Sequence, residues 1–147
     1  MSVAPPQVDF YLLGAADSRA RLATACRLAE KAFDQGLRVA VRTSGPAETA
    51  ELDELMWTFS DRSFLPHAVW PAEPAVAGHT PVLIASGALP DSHRDVLINL
   101  AAEQPPAAGG FARICEIVGA DETARRAARV RWRSYREAGS APESHSL

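Results

Sequence analysis

Val8 to Val41 reads VDFYLLGAADSRARLATACRLAEKAFDQGLRVAV, two short apolar runs separated by an amphipathic stretch. Val8–Leu13 is apolar and rich in strand formers, so it reads as a buried strand. A polar turn follows, with Asp17 or Ser18 available to cap a helix. Leu22, Cys26, Ala29 and Phe33 then recur at helical spacing, and Gly36 is placed to end that helix in a left-handed conformation. Leu37–Val41 is a second strand. Strand, long helix, strand is the unit that lays two parallel strands into one sheet.

The same grammar continues outward. Ser44, Gly45 and Pro46 open a second helix, because proline suits a first helical position. It runs through Leu52, Leu55 and Met56 to about Trp57. Residues 60–81 read as loop, broken by Pro66, Pro71, Pro74, Gly78 and Pro81. Val82–Ala85 and Val96–Leu100 are third and fourth strands, and Gln104–Gly110 is a linker. Phe111, Ile114, Cys115 and Val118 show helical spacing. Gly119 breaks it, Asp121 can cap, and a last helix runs to about Ala138 with Gly139 as its stop. The expected fold is α/β, a single domain over residues 1–139 with a largely parallel sheet flanked by helices. Residues 140–147, SAPESHSL, read as a disordered tail.

Composition bounds the function. The chain has 147 residues, 47% of them hydrophobic and 22% charged, as in an ordinary globular domain. No apolar run approaches the roughly 18 residues of a spanning helix. The start, MSVAPPQVDF, lacks the basic and apolar regions of a secretory signal, so no membrane and a cytoplasmic location are expected. Cys26 and Cys115 are far apart in apolar segments and read as buried structural thiols. No Cys/His cluster predicts a metal site. The net charge of −3 is uneven: residues 1–110 carry eight basic and thirteen acidic side chains, residues 111–147 seven and five.

An active site is not legible. The first strand–helix turn, LLGAADSRA, matches neither glycine-rich phosphate motif, and the one lysine, Lys31, falls inside a helix. There is no nucleophile elbow. His67 alone among the four histidines has a distinctive setting, and it reads as structural or interfacial rather than as a base or metal ligand. No catalytic residue and no cofactor are expected.

Two stretches point instead to binding. LDELMWTFSDRSFLPH, residues 52–67, begins a region in which Trp57, Phe59, Phe64 and Trp70 fall within fourteen residues. Phe59 and Trp70 can cover the sheet, whereas Trp57 and Phe64 suit a partner surface with Arg62 at its rim. RRAARVRWRSYREAG, residues 125–139, holds six arginines and two aromatics with no acid between Arg125 and Arg136. Arg125, Arg129, Trp132, Arg133 and Arg136 share a face by helical spacing. Forked cations beside an aromatic seat fit a short acidic peptide carrying a ring. Single-stranded DNA is the rival ligand, but one basic helix on an acidic body makes a poor continuous groove.

The FYLL strand, LDELMW…SFLPH, RDVLINL and the closing ARxRWRSYREAG, in this order and spacing over about residues 8–139, resemble the chi-subunit family of bacterial DNA polymerase III holoenzyme. The resemblance implies a Rossmann-like fold without a nucleotide site. It also implies a subunit that is not an enzyme by itself but belongs to a DNA-directed DNA polymerase holoenzyme, at the replisome on the nucleoid. Two partners are implied: psi, which ties chi to the clamp loader, and the acidic, aromatic-ended C-terminal tail of single-stranded DNA-binding protein. DNA is then met only indirectly. Trp57 and Phe64 match the family's psi-facing aromatics, with Leu65 and Pro66 beside them. Arg125, Arg129, Trp132 and Arg133 match the positions expected to hold the tail. Trp132 stands where many relatives have tyrosine, and Arg125 and Arg133 where lysine is common. Aromatic and cationic character are kept.

Overall fold

The computed structural model describes residues 4–59 and 65–147. Among them the chain forms seven strands and four α-helices: β1 Gln7–Leu12, α1 Ser18–Asp34, β2 Val39–Arg42, α2 Pro46–Thr58, β3 His67–Val69, α3 Pro74–His79, β4 Val82–Ala85, β5 Val96–Asn99, β6 Arg113–Val118, α4 Glu122–Glu137 and β7 Glu143–Ser146. The strands make one sheet in the order β3-β4-β2-β5-β6-β1-β7, and every pair in it is parallel. This is the α/β architecture read from the sequence.

The helix ends obey the local signals. Asp17 accepts from the Arg19 amide at the start of α1, and Asp121 from the Ala124 amide at the start of α4. Gly36 and Gly139 have φ of +76° and +104°, which a side chain would resist. Each closes a paired C-terminal motif. Leu37 N–H bonds Ala32 O at 3.0 Å and Gly36 N–H bonds Phe33 O at 2.9 Å; Ser140 N–H bonds Tyr135 O and Gly139 N–H bonds Arg136 O, both at 3.0 Å.

Side-chain alternation divides the core between the two faces of the sheet. Val39, Val41, Val82, Ile84, Val96, Ile98, Cys115 and Ile117 meet Leu22, Cys26 and Ala29 of α1 and Leu52 and Met56 of α2. On the other face Val8, Phe10, Ala40, Leu97, Ile114 and Val118 meet Ala128 and Tyr135 of α4. Cys26 and Cys115 are buried free thiols.

Three readings are corrected. Phe111–Val118 is not helical: Arg113–Val118 is strand β6, whose five residues from Ile114 to Val118 are all buried. A strand covered on both faces is apolar throughout, so its spacing imitates a helix. Residues 60–81 are not all loop, since β3 and the short α3 lie within them. The tail over 140–147 is not disordered, because β7 pairs with the outer edge of β1 from Asp9↔Glu143 to Leu12↔Ser146. Composition did not announce this strand. It is held by backbone pairing and by one buried carboxylate.

That carboxylate is Asp9. Its Oδ1 takes His145 Nε2 at 2.8 Å and its Oδ2 takes Arg113 Nε at 3.1 Å. Arg113 also donates to the Tyr11 hydroxyl at 2.7 Å, and the Tyr11 ring stacks on His145 with centroids 5.1 Å apart. Burial pushes the Asp9 carboxyl up, but the His145 bond and the Arg113 charge outweigh it and hold the group below the usual carboxylate range.

A second buried carboxylate fixes α4. Glu116 of β6 is fully buried on the α4 face. Its Oε1 accepts from Arg131 Nε at 3.0 Å and Asn99 Nδ2 at 2.9 Å, and its Oε2 from the Tyr135 hydroxyl at 2.6 Å. Arg131 also donates to Ala102 O at 2.6 Å.

Breaking a buried pair from one side leaves an uncompensated charge, so Arg131→Met is expected to lower the unfolding free energy by about 3–5 kcal/mol in urea titration. Glu116→Gln added to it removes that charge, its amide oxygen accepting from Asn99 and its NH2 donating to the Tyr135 hydroxyl oxygen, and should recover more than half of the loss. A second expectation concerns acid. Because Asp9 ionises below its unfolded value of about 3.9, its contribution is complete above that pH and is lost as pH falls through the folded pKa. The stability difference between the parent and Asp9→Asn should therefore hold above about pH 4 and shrink as pH falls below it.

Candidate protein-interaction surfaces

With Arg131 and Tyr135 turned inward to Glu116, the remaining side chains of α4 fall on two outer aspects. Arg125, Ala128, Arg129 and Trp132 overhang β1 and β7, where with Phe10, Leu12 and Ser144 they line a groove of about 160 Å³. An apolar cavity of roughly 150 Å³ accepts a benzene-sized group. The Trp132 ring is half-buried against Phe10, centroids 5.1 Å apart and tilted by 49°. On the other aspect, Arg126, Val130 and Arg133 form an open shelf with Arg129 and Trp132 shared between the two.

The arginines around the groove are in different states. Arg125 is half-buried, its Nε donating to Gly119 O at 3.0 Å and its Nη2 to Leu13 O at 2.7 Å. These bonds to carbonyls beyond β6 and β1 fix its guanidinium at one end of the groove without neutralising it. Arg129 meets Glu122 at 3.0 Å, but the two side chains are 62% and 68% exposed. An ion pair that open is worth about 0.2–1 kcal/mol, so an arriving carboxylate can replace it. Arg126 is 3.9 Å from the same carboxylate. Arg133 has no ion pair with any described residue. Of the four positions singled out on this helix, Arg125, Arg129 and Trp132 converge on the groove and Arg133 lies on its outer lip.

Helical spacing did not single out Arg131, the one arginine of the run that is buried. A signal existed: it lies three residues after Ala128 and four before Tyr135, on the stripe that faces the sheet. Phe10, Leu12 and Ser144 were also missed as groove residues, because strands distant in sequence supply them.

The other surface lies at the opposite edge of the sheet. Trp57, on the last turn of α2, is 52% exposed, and its ring lies 4.3 Å from that of His67. His67 is buried, with Nδ1 facing Leu65 O at 2.7 Å and Nε2 facing Asp53 O at 3.1 Å. The Asp53 carboxylate is 3.2 Å from the same Nε2. Both ring nitrogens thus meet acceptors of the chain itself, which lashes the start of β3 to α2. Leu65 is 1% exposed and belongs to the core, so it supports this surface from beneath and is not a contact on it. Pro66 is half-buried, Phe59 packs on the core, and Val69 of the outer strand β3 is 41% exposed. Phe64 and Arg62 lie outside the described residues.

At two sites where other chemistry could reside, the polar side chains are engaged by the chain itself. At the carboxyl ends of β5, β6 and β1, where open α/β sheets take ligands, Asp17 and Asp121 hold helix N-terminal amides. Arg21 lines the cleft of about 270 Å³ that remains between them, bonded to Glu48 and to Leu100 O. Asp9, Glu143 and His145 bring ligand atoms within 4.8 Å of one another, but Asp9 spends one oxygen on His145 and the other on Arg113, so the group acts as a strand clamp. Among the described residues no helix is long and apolar enough to cross a membrane.

Comparison with known proteins gives the chain's family. Residues 6–143 match the model of the family described as DNA polymerase III chi subunit, HolC. The chain is 43% identical over 141 residues to the DNA polymerase III subunit chi of Pseudomonas aeruginosa, covering 96% of both. It is 31% identical over 116 residues to that of Haemophilus influenzae, covering 78% of this chain and 79% of the other. The subunit chi of Escherichia coli is 30% identical over 115 residues, or 78% of this chain and 77% of the other. The chain belongs to the chi-subunit family of DNA polymerase III.

Proposed function

We propose that this protein is a non-catalytic, clamp-loader-associated subunit of the replicative polymerase that joins psi to the acidic C-terminal tail of single-stranded DNA-binding protein. The observation that carries the reading is the groove under α4. It offers an apolar floor of Phe10, Leu12 and Trp132, an oriented cation at Arg125 and a replaceable one at Arg129. A tail that ends in a ring and carries aspartates has the complementary pattern. The ring decides the affinity: burying a phenylalanine-sized side chain gives about 1.5–3 kcal/mol, whereas each exposed ion pair adds about 0.2–1 kcal/mol.

The psi-facing surface is assigned to Trp57 and Pro66, with Leu65 beneath; Phe64, next in sequence to Leu65, is assigned to the same partner from its aromatic character alone. The exposure of a tryptophan on a rigid helix end supports this, since such residues dominate protein interfaces. The two surfaces belong to opposite edges of the sheet, so each partner can be held without touching the other.

Arg129→Glu is expected to weaken a tail peptide at least tenfold in a fluorescence titration while the urea midpoint stays unchanged; unaltered affinity removes the groove from consideration. Trp57→Asp should prevent co-purification with psi yet leave the peptide titration as it was. Direct binding of single-stranded DNA would instead show a salt slope of about −0.7 per phosphate contacted. The isolated protein is expected to give no binding to titrate, and a steep slope would favour that rival function.

A further inference from the structure

The groove has a second wall that the α4 residues do not supply. In the β1–β7 register Ser144 lies opposite Phe10 and Ser146 opposite Leu12, while Glu143 and His145 lie opposite Asp9 and Tyr11. Alternation therefore turns both serines of β7 to the face that α4 overhangs and both larger residues to the other. Ser144 lines the groove together with Phe10, Leu12 and Trp132. Its side chain is the smallest polar one available, so the space between Trp132 and β7 stays open. The position of this wall is fixed from the opposite face of the same strand, where His145 bonds Asp9 at 2.8 Å and stacks on Tyr11.

We propose that β7 is the far wall of the tail-binding groove and that Ser144 sets the size of the side chain it accepts, a single ring at the end of an acidic peptide lying between Trp132 and Ser144 over Phe10. This rests on the reading of the groove as a peptide site and adds to it a specificity-determining residue on the last strand. The strand contributes no charge to the pocket. Its part is shape, and the clamp at Asp9 holds that shape in place.

Ser144→Cys tests this directly. The native Cys26 and Cys115 are buried, and burial pushes their thiols up to about 12 and about 11, so the accessible thiol introduced by this substitution reacts selectively with a bulky maleimide. A synthetic peptide of several aspartates ending in phenylalanine, at saturation, should slow labelling at least tenfold. The labelled protein should bind that peptide at least tenfold more weakly. Ser144→Leu should weaken it to a similar extent and Ser144→Ala by less than twofold, all with unchanged thermal midpoints. If the peptide binds while the introduced thiol labels at its free rate, or if Ser144→Leu binds as the parent does, the inference is overturned and the groove assignment stands. If the unsubstituted protein does not bind the peptide, the groove assignment fails and takes the inference with it.

Discussion

Glu116 is a carboxylate with no exposed surface, set on a central strand between Ile114 and Val118. Burial drives its pKa up, and an ionised group there would cost several kcal/mol without partners. Two of the partners come from α4, one turn apart: Arg131 and Tyr135. Side chains four residues apart share a helix face, so engaging both fixes the rotation of α4 about its axis and its position along the sheet. Once Arg131 and Tyr135 are turned inward, helical geometry carries Arg125, Arg129 and Trp132 over β1 and β7. The groove is thus a consequence of a buried polar network beneath it.

How much of this the sequence disclosed follows from what each signal measures. The first strand–helix–strand unit, the Asp17 and Asp121 caps and the glycine stops at 36 and 139 were legible, because each depends on residues within a turn or two of one another. β6 was misread because a strand buried on both faces loses alternation. β7 was missed because its stability comes from Asp9 and Tyr11, near the other end of the chain, and not from its own polar composition. The basic face on α4 was read from spacing alone, which included no hint that Arg131 was withdrawn from it. Spacing gives directions around a helix, and only the neighbour on the sheet decides which direction is inside.

The strand order has its own bearing on the proposed bridging role. Trp57 and β3 mark one edge of the sheet and the α4 groove lies at the other, with β4, β2, β5, β6 and β1 between the outer strands. At about 4.8 Å per strand pair, six steps separate the edges by roughly 29 Å. Charges that far apart are screened at physiological ionic strength, where the Debye length is about 8 Å. Neither surface shares a side chain with the other. Two ligands so placed bind independently unless the sheet itself deforms, and a fully parallel sheet covered on both faces is a stiff connector.

Arginine does four different things within one helix, and the differences are environmental. Arg131 neutralises a buried acid, Arg125 is held by carbonyls with its charge uncompensated, Arg129 is loosely paired with Glu122, and Arg133 stands on the outer lip. Substituting lysine would treat these positions unequally. At Arg131 and Arg125 the fork makes two separate bonds that one ammonium on a flexible stem cannot reproduce. At Arg129 and Arg133 a point charge would serve an incoming carboxylate nearly as well. Lysine at position 125 could not keep both bonds, and would leave the carbonyl of Leu13 or of Gly119 without its present donor.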